Sequence, residues 1–167
     1  MESMRIQQAA TVVAFLGILA GCATPPEADL EANKALVRQY VEAYNAHDVS
    51  RLDGLMAPDF ARHSLAAPEL ASLEEFKAEV RNGFAAFPDG HMEAHMMVAE
   101  SDLVATYLTF SGTQTEAWGE LPGTGQRADL KFFYLFRVED GKLAEMWTEW
   151  DNLSFLQQLG HIPAPGT

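Results

Sequence analysis

The chain has 167 residues, 48% of them apolar and 21% charged, which is a globular composition of single-domain length. Eleven Lys and Arg stand against 24 Asp and Glu, a formal charge of −13, which excludes a phosphate-tracking nucleic-acid binder and electrostatic docking on anionic lipid. The single cysteine, Cys22, excludes an intramolecular disulfide and a thiolate zinc site.

In chain order, the first feature is Ala9 to Leu19, an apolar run of 11 residues. It is about half the ~20 residues that span a bilayer, the length of a signal-peptide core. It leads into Leu19-Ala20-Gly21-Cys22, which resembles the bacterial lipobox. That resemblance implies a signal peptide over residues 1–21, lipidation of Cys22 and a lipidated tether over 22–30 containing Pro25 and Pro26. The protein would then be held at the bacterial cell envelope by a lipid anchor only, on the periplasmic face. Ala23 after the cysteine leans toward the outer membrane. The alternative is an ordinary secretory signal with an incidental cysteine.

Leu36, Val37, Tyr40, Val41 and Tyr44 fall at helical spacing, so a first helix is expected between Leu30 and His47. Asp48 is placed to cap a short second helix reaching Met56. Pro58-Asp59-Phe60 opens an extended piece ending near His63 and Ser64. Ser72, with Glu75 three residues on, reads as the start of a third helix that buries Phe76, Val80, Phe84 and Phe87 and stops at Pro88. The period then changes. Residues 91–100, 103–115, 127–139 and 142–151 read as strands, with tight turns at Ser101-Asp102 and Asp140-Gly141. Helices first and strands last predict an α+β fold, an antiparallel sheet covered by helices on one face. Residues 161–167 read as a tail.

Several pieces, in order, carry a resemblance. They are the run from Tyr40 to Asp48 (YVEAYNAHD), Ala57-Pro58-Asp59-Phe60 with His63, Phe87-Pro88-Asp89, Thr124-Gly125, and the run from Phe136 to Trp147 with Asp151 and Gln158-Leu159-Gly160 behind it. Together they resemble the SnoaL-like polyketide cyclases, of the cone-shaped nuclear transport factor two-like fold, over residues 31–160. The resemblance implies a curved antiparallel sheet wrapped by three N-terminal helices around an apolar pocket, and the pairing of two such sheets in a homodimer. Strand alternation sends Phe132, Tyr134 and Phe136 to one side and Phe133 to the other.

The family's cyclases use an Asp on the last strand and a His on the strand before it. Counting from Gly141, those positions are Thr148 and Tyr134, so both groups of the cyclase reaction are replaced. The related ketosteroid isomerases resemble the chain differently. Their oxyanion-holding Tyr matches Tyr40, their protonated Asp matches Tyr134 and their base Asp matches Ser64, beside His63. This implies two phenol donors, Tyr40 and Tyr134, with His63 as base, and Ser64, Phe132, Phe136 and Thr148 lining the substrate site. His91, Glu93 and His95 alternate on one strand but lack a fixed fourth ligand, so a solvated strand face is expected, with no metal and no cofactor. Glu145 and Asp151 read as support for the fold, and His47 as a helix-end residue. Two functions remain open. One is proton abstraction with enolate stabilisation on a small hydrophobic carbonyl compound, polyketide- or steroid-like. The other is a non-catalytic module of the envelope that binds a hydrophobic ligand.

Overall fold

A computed structural model describes residues 27–164; the stretch read as a signal peptide and Cys22 lie outside them. Helix α1 (Glu27–Asn45) is followed by a 3₁₀ turn (Val49–Arg51), α2 (Leu52–Leu55), β1 (Met56–His63) and α3 (Leu73–Ala86). Strands β2 (His91–Glu100), β3 (Leu103–Thr113), β4 (Arg127–Glu139) and β5 (Lys142–Trp150) follow, and α4 (Asn152–Gln158) closes the chain. Helix α1 takes in the last four residues of the stretch read as tether. Among the described residues no helix is long and apolar enough to cross a membrane.

The strands form one curved sheet in the order β1-β5-β4-β3-β2. Four are antiparallel neighbours, as the turn signals require. The edge strand differs from expectation: β1 pairs with β5 in parallel, with Arg62 opposite Met146 and His63 opposite Trp147. Since α3 and three further strands intervene between β1 and β5 in the chain, nothing in a local turn fixes this direction.

Capping residues set the helix ends. The Asp48 carboxylate accepts from Ser50 N at 3.1 Å and starts the 3₁₀ turn. Ser72 Oγ accepts from Glu75 N at 3.3 Å, while Glu75 reaches back to Ala71 N at 2.9 Å, a capping box displaced by one residue. Asp151 Oδ1 accepts from Ser154 N at 2.9 Å and starts α4. Asn45, at the end of α1, both donates to Met92 O and accepts from Met92 N at 2.8 Å, which ties the helix to β2. His47, in the left-handed region at φ 52°, stacks on Phe84 at 4.3 Å.

The core fills the space between the helices and the inner face of the sheet. Val37, Phe60, Phe136, Leu143 and Leu159 have no exposed surface. The loop between β3 and β4 is organised by the fully buried Gln114. Its backbone carbonyl accepts from Gly125 N at 2.8 Å, and its side-chain oxygen accepts from His161 Nε2 at 2.8 Å. Gly125 has φ +71°, which a side chain would strain. His161, read as the start of the tail, is therefore held against the domain.

Candidate functional site

Between α1, α3 and the sheet lies a cavity of about 110 Å³. One water needs ~10–15 Å³ on this kind of measure, so the space admits a small organic molecule. Its walls are mostly rings. Phe132 packs on Trp150 at 5.2 Å and on Tyr134 at 5.8 Å. The opposite side carries Trp118, from the β3–β4 loop, against Phe87 at 6.2 Å and Phe155 at 5.5 Å.

Besides the tryptophan indoles, six residues with polar groups interrupt this apolar lining: Tyr40, Tyr44, Arg62, Glu79, Tyr134 and Thr148. Tyr40 comes from α1, where it shares a face with Val37 and Val41, and is 2% exposed. Tyr134 comes from β4 and Thr148 from the opposite position on β5. The Tyr40 and Tyr134 rings meet edge to face, 6.2 Å between centroids. Burial pushes the Tyr134 phenol up to about 12, with the Tyr40 hydroxyl and the Arg62 charge pulling the other way. Tyr40 is pushed well above the usual phenol range, first by burial and then by its tyrosine neighbours. Both phenols are therefore neutral donors at neutral pH, the state in which a phenol can hold a carbonyl or enolate oxygen.

Arg62, from β1, is 6% exposed. Its Nη2 donates to Pro68 O at 2.6 Å, and its backbone exchanges hydrogen bonds with Leu70 at 2.8 and 3.1 Å. Its charge favours the phenolate forms of both Tyr40 and Tyr134. Glu79, on α3 between Phe76 and Val80, supplies the one carboxylate among the residues that line the cavity.

The structure sorts the residues expected at the site. Tyr40, Tyr134, Phe132 and Thr148 line the cavity. Phe136 does not; it is fully buried behind Tyr40, 5.4 Å between rings. His63 does not converge with the phenols. Its ring stacks on Trp147 at 5.1 Å, and Nδ1 donates to Glu69 Oε2 at 2.8 Å. The reason is strand alternation: Arg62 points inward, so His63 points outward. Ser64 follows β1 and accepts from Ala66 N at 3.0 Å, a local turn contact away from the cavity.

The remaining candidates hold structure. Glu145 pairs with Arg137 at 3.3 Å, and Arg137 also reaches Asp102 at 3.2 Å. Glu149 accepts from Leu65 N at 3.0 Å. His95 contacts Thr109 Oγ1 at 2.7 Å on an exposed strand face. Among the described residues no three His, Cys, Asp or Glu side chains are grouped to hold a metal ion. Sequence reasoning missed Arg62 and Glu79. A signal for Glu79 was present, since it follows Phe76 by three on the buried stripe of α3. Arg62 had only the alternation from Phe60, a buried position two residues earlier.

A family model for SnoaL-like polyketide cyclases matches residues 34–159. Among solved structures the chain is similar to AclR of Streptomyces galilaeus, a candidate hydroxylase, at 30% identity and TM-score 0.71, covering 81% of this chain and 85% of that one. It is similar to TsrD of Streptomyces laurentii at 27% identity and TM-score 0.72, covering 79% and 97%. It also resembles IdmH of Streptomyces antibioticus, a candidate polyketide cyclase, at 29% identity and TM-score 0.67, covering 77% and 98%. No curated protein matches the sequence.

Proposed function

The chain belongs to the SnoaL-like polyketide cyclase family, and on that premise we propose that its cavity binds a small, predominantly apolar compound through a carbonyl oxygen held by Tyr40 and Tyr134. The observation that carries this reading is the pairing of two buried, neutral phenols in the wall of a ring-lined cavity. Rings and aliphatic side chains supply most of the binding, and the phenols orient the ligand. Trp118 and Trp150 both line the cavity and make it self-reporting. Titration with 2-acetylnaphthalene is expected to quench tryptophan emission saturably. Tyr134→Phe is expected to weaken binding about 2–10-fold, the value of one hydrogen bond. Absence of saturable quenching, or unchanged affinity in both Tyr134→Phe and Tyr40→Phe, would overturn the reading.

A second reading rests on Glu79. A carboxylate in the same cavity can take a proton from the carbon next to the held carbonyl, while the phenols hold the enolate oxygen. It replaces His63 as the base, because His63 faces away. Deuterium uptake into the methyl group of 2-acetylnaphthalene, lost in Glu79→Gln, would support enolisation; equal uptake in that variant would exclude it.

The same proposal places the domain at the cell envelope, anchored through lipidated Cys22, and pairs it with a second copy. The apolar outer face of the sheet, with Met96, Val98 and Phe133 exposed, favours pairing. Sedimentation at micromolar concentration tests it: a dimer mass is expected, and a monomer mass would refute it.

A further inference from the structure

The cavity is rich in donors and poor in acceptors. Among the described residues, three buried side-chain polar atoms have no partner within the chain: Arg62 Nε, Thr148 Oγ1 and Trp150 Nε1. All three belong to residues that line this one cavity. Arg62 Nε and Trp150 Nε1 are donors only, and the Thr148 hydroxyl can turn to donate. The lining tyrosines, Tyr40, Tyr44 and Tyr134, add three phenol hydroxyls.

Arg62 is the decisive member. A guanidinium keeps its charge at any ordinary pH. Among the described residues its side chain makes no ion pair, whereas the arginines that do, Arg38, Arg51, Arg127 and Arg137, keep a third or more of their side chains exposed. Its one hydrogen bond to a protein group is with the Pro68 carbonyl. A buried, unpaired charge is costly, and a partner anion offsets that cost only when it also satisfies the free N–H groups. A carboxylate does both, because its two oxygens match the guanidinium fork.

We propose that the cavity selects a carboxylate-bearing ligand, an aromatic or alicyclic acid whose anion is held by Arg62 with help from Thr148 and Trp150, the rings enclosing its apolar body. This rests on the binding function proposed above and names the ligand class. Glu79 is the one acidic group lining the same cavity. It sets a limit on where the anion sits, on the Arg62 side.

The test compares 2-naphthoate with 2-acetylnaphthalene, near-isosteric probes that differ in charge, by calorimetry on the wild-type domain at pH 8. Naphthoate is expected to bind at least about tenfold more tightly, the value of one charge-assisted hydrogen bond. In Arg62→Met that preference is expected to collapse to within about twofold while 2-acetylnaphthalene binding persists; Arg62→Lys, which keeps the charge but loses the fork, is expected to retain part of it. Equal or weaker naphthoate binding by the wild type overturns the proposal and leaves the neutral carbonyl reading standing. Preference retained in full by Arg62→Met also overturns it. Failure of both probes to bind overturns the proposal and the function beneath it. Should Arg62→Met not fold, the wild-type ratio and Arg62→Lys decide.

Discussion

Arg62 and His63 stand side by side at the end of β1 and live in different environments. Arg62 is sealed against the cavity, short of acceptors, beside two phenols. His63 lies on the outer face, stacked on Trp147 and bonded to Glu69. The same division runs along β4, where Phe136 has no exposed surface and Phe133 is 62% exposed. One residue step in a strand thus separates a site from a surface. The residue type expected to do chemistry, an imidazole, went to the surface, and the one with no sequence motif went to the site.

The largest expected effect comes from the two phenylalanines. Phe136→Ala is expected to cost about 3–5 kcal/mol in chemical unfolding, because it leaves a cavity behind Tyr40. Phe133→Ala is expected to stay within about 0.5 kcal/mol. Equal costs for the two would break the distinction between the faces.

The buried phenols predict an alkaline limit. Tyr134 is raised from 10.0 to about 12, so the folded chain keeps that proton after the unfolded chain has lost it. The unfolded state then binds fewer protons, and stability present below pH 10 is lost as pH rises toward 12. The slope is about 1.4 kcal/mol per pH unit for each such phenol. Denaturant midpoints at several pH values check this, and Tyr134→Phe is expected to shallow the fall. Parallel curves for the variant and the wild type would place Tyr134 outside the buried set.

His63→Ala sharpens the comparison from the outer side. Loss of its exposed contact with Glu69 and its stacking on Trp147 is expected to cost no more than about 1 kcal/mol. The affinity for 2-acetylnaphthalene is expected to be unchanged. A tenfold loss of affinity would return His63 to the site. The smallest effect on the domain is expected from Cys22→Ser, which should abolish labelling by radioactive palmitate and leave the unfolding midpoint where it was; labelling that survives would refute the anchor.

Much of the architecture was readable because it rests on local rules. Asp48, Ser72 and Asp151 cap where their side chains suit a helix start. The Ser101 and Asp140-Gly141 turns take the positive φ angles that tight hairpins need. Alternation along β4 was legible from Phe132 to Phe136 and held in the structure. The candidate site was legible only in part. Tyr40 and Tyr134 were found by resemblance, and Thr148 by counting from Gly141. Phe136 was placed on the correct face but at the wrong depth, since strand periodicity gives direction and not distance from a cavity.

By itself the sequence determined the order of elements, their caps and turns, the family and the inward face of β4, because each depends on residues within a few positions of one another. Tertiary structure alone decided the parallel pairing of β1 with β5 and which face of β1 the core covers, the face that carries Phe60 and Arg62 and leaves His63 outside. It also decided that Arg62, Thr148 and Trp150, each with a buried polar atom that has no partner among the described residues, line one cavity. Those are consequences of packing between segments far apart in the chain, where the cost of an unpaired buried charge depends on what the fold places beside it.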